Sequence, residues 1–168
     1  MKTIAAIFFF VALLLPAGLQ AQTALLVDKQ ATRHTSNLFH QLQRLRMKGT
    51  LFGHQDDLAY GFGWKYEKGR SDIKDVTGDY PAVYGWDLGH VELDRPVNLD
   101  SVPFDRMKQF IREAYERGGV ITISWHLNNP FTGKSAWHPE PGTVKAILPG
   151  GEKNGVYASW LDKVAAFL

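Results

Sequence analysis

Apolar residues recur along this chain in two rhythms, and their alternation predicts its architecture. Over 34–48, Leu38, Phe39, Leu42 and Leu45 fall on one stripe at helical spacing. Thr35 or Ser36 is placed to cap that helix, Arg44, Arg46 and Lys48 suit its negative end, and Gly49 stops it. A short strand follows over 50–53, ending on His54. Residues 55–69 hold Gly61, Gly63 and Gly69 among aromatics and read as a loop, and 71–76 read as one or two helical turns. A second strand is predicted over 81–86, ending on Asp87. The clearest helix is 103–117, where Phe104, Met107, Phe110, Ile111, Ala114 and Tyr115 keep helical spacing. Asp100 or Ser101 is expected to cap it, Pro103 opens it, and Gly118 with Gly119 ends it. The β-branched run 120–124 predicts a third strand, buried on both faces, that delivers Trp125 and His126 to its end. Tyr157, Trp160, Leu161, Val164, Ala165 and Leu168 form a last amphipathic helix, with Trp160 expected in the core.

The strands start near positions 50, 81 and 119, with helices between them. That spacing means parallel βα units, which build either an open doubly wound sheet or a closed barrel. No Gly-rich phosphate fingerprint follows any strand, which argues against dinucleotide binding. A polar side chain does recur at each strand end: His54, Asp87 and His126. In (β/α)8 barrels that is the face where active sites form. A barrel takes about 250 residues. The expected fold class is therefore α/β, a (β/α)8 TIM barrel of which the first three βα units are present. A small three-stranded α/β domain is the alternative.

The first segment has a different character. Lys2 precedes an apolar run over 3–15, Pro16 and Gly18 break it, and small Ala21 follows. This is the pattern of a secretory signal peptide over 1–21, too short for a membrane span. It leaves 22–168 as the expected N-terminal part of the barrel domain. The expected destination is periplasmic or extracellular, in a bacterium. The absence of cysteine excludes disulfides, thiolate metal sites and a cysteine nucleophile. The composition, 45% hydrophobic and 21% charged, is globular, and a net charge of +2 without a basic run argues against a nucleic-acid partner.

Five tryptophans change the picture. Trp64, Trp86, Trp125 and Trp137 lie in or beside the segments expected at the rim, where an aromatic face stacks on the C–H face of a sugar ring. Trp137, in a loop between Gly133 and Pro139, is the best platform candidate, with ordinary packing under the loop as the alternative. An imidazole at position 126 can exchange hydrogen bonds, bind a metal or move protons. His54, Asp87, His90 and His126 could in principle ligate a metal, but there is no His-x-His pair and no H-E-x-x-H helix. Glycosidase chemistry needs two carboxylates about the scissile bond. Glu113 and Glu116 lie on the helix before the third strand, Glu152 precedes the last helix, and Glu67, Glu92 and Glu140 are in loops. None stands at a strand end.

Gly53-His54-Gln55-Asp56, Tyr84-Gly85-Trp86-Asp87, and Ser124-Trp125-His126 with Asn129-Pro130 resemble glycoside hydrolase family 26, best known for β-mannanases. The resemblance covers essentially all of 34–168, and the third motif is its most specific part. It implies a (β/α)8 barrel and a retaining double displacement by two glutamates, one after the fourth strand and one after the seventh. Both lie beyond Leu168, so no catalytic residue is assigned within the chain. It implies that His126 and Trp137 bind substrate, that His54 and Asp87 support the site, and that no metal or organic cofactor is needed. The implied substrate is β-mannan or a related plant polysaccharide, with β-glucan and β-xylan as family alternatives. A non-catalytic glycan-binding protein and a metal-dependent hydrolase or deacetylase are the readings from other classes.

Overall fold

The structure, a computed structural model, describes residues 26–168. The signal segment expected over 1–21 lies outside them. The chain divides into two units, 1–49 and 50–168.

In the described part of the first unit, helix α1 runs Arg33–Leu45. It starts one residue earlier than expected because Thr32, not Thr35 or Ser36, is the cap: its hydroxyl accepts from the Thr35 amide at 3.2 Å. The helix ends at Leu45, before Lys48 and Gly49, and none of its residues is buried.

The second unit contains β1 (Gly53–Gln55), a small antiparallel hairpin of β2 (Tyr60–Gly61) and β3 (Trp64–Lys65), α2 (Asp72–Thr77), and β4 (Val83–Asp87). A 3₁₀ turn at Val91–Leu93 follows, then α3 (Phe104–Glu116), β5 (Val120–Ser124), α4 (Thr143–Ile147) and α5 (Asn154–Phe167). The main sheet has the order β1-β4-β5, and both pairings are parallel. Strand, helix and strand therefore alternate as the hydrophobic pattern predicts.

The core lies between β4 and α3. Tyr84, Trp86 and Leu88 are fully buried with Met107 and Ala114 of the helix. The Trp86 and Phe110 rings stack at 5.8 Å and 8°. Trp86 is thus a core residue rather than a rim platform. Trp64 is buried too, its indole N–H donating to Asp72 Oδ1 at 2.5 Å while the Phe62 amide donates to Asp72 Oδ2 at 2.7 Å. One carboxylate so holds the hairpin that the sequence reads as plain loop.

Pro103 is the N-cap of helix α3 and makes no side-chain cap bond. Ser101 does not cap it but takes a left-handed turn (φ 64°), and Asn98 organises that turn. Its Oδ1 accepts from the amides of Asp100 (3.0 Å) and Val102 (2.8 Å). The helix ends on Gly118 in the left-handed region (φ 83°), as expected of a glycine just past a helix.

Two segments expected to be buried are open among the described residues. There β5 pairs with β4 alone, and its Thr122, Ile123 and Ser124 are exposed. Trp160 is half-buried, and α5 buries no residue fully. Among the described residues, no helix is long and apolar enough to cross a membrane.

Candidate substrate-facing site

The register of the sheet decides which strand-end side chains share a face. In a parallel sheet, paired residues point to the same side, and neighbours along a strand point to opposite sides. His54 pairs with Tyr84, which faces α3; Gln55 pairs with Gly85, and Asp87 pairs with Ser124. So Gln55, Gly85, Asp87, Thr122 and Ser124 line the face away from α3. His54 is on the opposite face from Asp87. Its Nδ1 bonds the Gln55 carbonyl at 2.8 Å and lies 3.8 Å from Asp57 Oδ1. The strand runs to Gln55 instead of stopping before His54, and that shift moves the histidine out of the group expected at the rim.

Asp87 and His126 are brought together. Asp87 is buried at the end of β4 and accepts four hydrogen bonds. Oδ1 takes the amides of Gly89 (2.7 Å) and His126 (3.3 Å). Oδ2 takes the Ser124 hydroxyl (2.6 Å) and His126 Nδ1 (2.5 Å). Burial works against the charged form, but the bonds from Ser124, His126 and the two amides outweigh it and hold the carboxyl below the ordinary aspartate value. Gly89 is required here for close approach, since a Cβ would meet Leu99, Asp87 and the His126 carbonyl. Asn98 completes the support by donating to the Asp87 carbonyl at 3.0 Å.

With Nδ1 engaged by the Asp87 carboxylate, Nε2 is the His126 ring nitrogen left to meet a ligand, and in the neutral form of the ring it is an acceptor. Its side chain is 53% exposed. Trp137 stacks on the same ring at 5.3 Å and 11° while remaining 66% exposed. The loop carrying Trp137 is built around buried Asn129. That residue's Oδ1 accepts from the amides of Phe131 (2.8 Å) and Thr132 (3.2 Å), and its Nδ2 donates to Thr143 Oγ1 (3.0 Å). The outcome is one exposed nitrogen acceptor beside one exposed aromatic face. That pairing suits a polyol with an apolar ring face. It holds no acid–nucleophile pair of carboxylates.

Trp125 lies beneath this surface, its indole N–H on Glu92 and its ring stacked on Tyr157. The residues weighed as metal ligands are not gathered: His54 is on the other face, and Asp87 and His126 bind each other. Among the described residues no group of three or more His, Asp or Glu is arranged to hold a metal ion.

Asp56, the first residue past β1, is fully buried in the left-handed region (φ 53°). Burial and then the nearby Asp100 push its carboxyl up to about 6, against a hydrogen bond from Tyr60. A raised folded value means that this group's contribution to stability is complete below the ordinary aspartate value and is lost as pH rises through about 6. Asp56→Asn keeps the acceptor for Tyr60 and tolerates the backbone conformation. It should raise the stability of the full-length protein at neutral pH by up to ~2–3 kcal/mol. Thermal melts from about pH 4 to 7 check this; an unchanged slope would contradict it.

The sequence pattern of glycosyl hydrolase family 26 matches residues 27–168. The chain belongs to glycosyl hydrolase family 26. This family 26 chain is 30% identical over 148 residues to a mannan endo-1,4-β-mannosidase of Bifidobacterium adolescentis, covering 83% of the chain and 14% of that protein. It is 28% identical to a mannan endo-1,4-β-mannosidase of Bacillus subtilis, over 77% of the chain and 37% of that protein. The structure of a family 26 β-mannanase from Bacteroides ovatus superposes with a TM-score of 0.79 at 45% identity, over 82% of the chain and 40% of that structure. The family 26 chain thus spans well under half the length of these relatives. Its three parallel βα units are part of a (β/α)8 barrel, the fold class expected from the sequence.

Proposed function

We propose that the full-length protein is an exported bacterial endo-β-1,4-mannanase that cleaves mannan with retention, and that His126 and Trp137 form part of its sugar-binding wall. The observation that carries this reading is the fixed pair at the strand ends: a histidine oriented by buried Asp87 and stacked against an exposed tryptophan. The mannanase names of the relatives support the substrate. The apolar N-terminal run supports export to the periplasm or exterior.

The mechanism divides between parts of the barrel. Two glutamates, placed after the fourth and seventh strands, would do the covalent chemistry: one attacks the anomeric carbon, the other protonates the leaving oxygen and then activates water. Residues of this chain would act on the sugar itself. Nε2 of His126 accepts a hydrogen bond from a hydroxyl of the bound mannose. Trp137 covers the ring's C–H face. Asp87 keeps the imidazole in one tautomer and one orientation throughout. No metal or organic cofactor takes part.

Incubating the full-length protein with β-1,4-mannan, mixed-linkage β-glucan and β-xylan, with and without excess chelator, tests the reading. Release of short manno-oligosaccharides at an unchanged rate in chelator is expected. Binding of mannan without hydrolysis would favour a glycan-binding protein. Loss of activity in EDTA, restored by zinc, would favour a metal-dependent hydrolase.

A further inference from the structure

Glu92 has the environment of a working residue without touching the exposed surface of the site. It lies in the 3₁₀ turn between two left-handed residues, His90 (φ 82°) and Asp94 (φ 54°), and is 1% exposed. Among the described residues no cation pairs with its carboxylate. Its two oxygens instead divide between two neutral donors: Oε2 accepts from the Trp125 indole N–H at 3.1 Å, and Oε1 from the Asn128 amide at 2.8 Å. Those two residues bracket His126 in the sequence. The turn is fixed from outside by Lys163 of α5, whose ammonium donates to the Glu92 carbonyl at 2.8 Å and pairs with Asp94 at 2.6 Å. A buried charge held only by neutral donors is costly. Only a carboxylate, however, offers two acceptors and no donor to two N–H groups in this geometry.

We infer that Glu92 is a positioning residue for His126: it clamps the exit of β5 before and after the histidine, while Asp87 orients the imidazole itself. The inference rests on the proposed sugar-binding role of His126. Two constraints, one from the end of β4 and one from the turn that follows it, then locate one ring, and loss of the clamp lets the ring shift even though the Asp87 bond can re-form. Such misplacement costs rate more than binding.

The glutamine variant gives the test, because its NH₂ must face an N–H. With its oxygen kept on the Asn128 amide, the NH₂ opposes Trp125 Nε1–H. In the full-length protein, E92Q should lower kcat on manno-oligosaccharides by about 10- to 100-fold, with KM changed by less than about 3-fold. In a W125F background, which removes the opposed donor, E92Q should cost no more than about 3-fold in kcat. Histidine-labelled NMR supplies a readout independent of mannanase activity: the His126 Nδ1–H resonance should move or broaden in E92Q and do so much less when E92Q is added to W125F. That resonance tests the clamp even if the wild-type protein proves inactive on mannan. Equal cost of E92Q in both backgrounds, or an unperturbed His126 resonance in a folded E92Q protein, would overturn the inference. Should E92Q fail to fold, W125F alone, which removes one of the two donors, must still perturb the His126 resonance; an unchanged signal there would overturn it as well.

Discussion

Asp87→Ala in the full-length protein is expected to lower both kcat/KM on manno-oligosaccharides and stability, the second by ~3–5 kcal/mol. The stability loss follows from its burial and its four donors, which the variant leaves facing a gap. The kinetic loss, about 10²- to 10³-fold, follows from freeing the His126 ring. Asp87→Asn separates the two effects. It keeps the shape but presents an NH₂ or a weaker acceptor to His126 Nδ1, favouring the other tautomer. Its pH dependence has a definite sign. The Asp87 carboxyl is held below its ordinary value, so its stabilisation is present above the unfolded value and is lost as pH falls through the lower folded one. The asparagine variant should lose that acid-side slope. Melts at neutral and acid pH, with kinetics on one oligosaccharide, read both. A folded Asp87→Ala protein with near-normal kinetics would detach the carboxylate from the site.

His126→Ala should have the opposite balance. The ring is half exposed, and Asp87 retains the Ser124 hydroxyl and the amides of Gly89 and residue 126, so the fold should survive with little change in Tm. A hydrogen bond to a sugar hydroxyl that strengthens as charge and ring shape change belongs to the transition state. Its loss should lower kcat/KM by about 10- to 1000-fold, equivalent to ~1.4–4 kcal/mol. If Asp87 acts through His126, the double variant should be no slower than the worse single one. Normal kinetics in a folded His126→Ala protein would remove this histidine from the substrate-facing site.

Much of this arrangement is legible in the sequence, and the parts that are not have physical causes. The β-branched run of β5 and the helical spacing of α3 are strong local signals, and both elements form where that spacing places them. The first strand is less well specified. Leu51 and Phe52 draw an apolar pattern early, yet both are exposed and the ladder runs Gly53–Gln55. In a structure of period two, a small error in a strand's end exchanges its faces, so Gln55 and not His54 stands on the side of Asp87. Two of the four tryptophans expected near the rim lie elsewhere, because composition cannot distinguish an inward indole from a rim one. Trp86 belongs to the helix face of β4 and Trp64 to a hairpin held by Asp72. Glu92 reads as an ordinary loop glutamate because its donors lie 33 and 36 residues away in sequence. Pairs of that separation leave no local pattern. Ser124, two residues before His126, was within reach of the alternation argument, since i and i+2 share a strand face.

A crystal structure of the full-length protein with a bound manno-oligosaccharide tests the central claim most directly. The account predicts a sugar hydroxyl within hydrogen-bonding distance of His126 Nε2, Nδ1 still on Asp87, and the Trp137 ring against a pyranose face. A cleft occupied by the oligosaccharide with neither His126 nor Trp137 in contact with it would contradict the account.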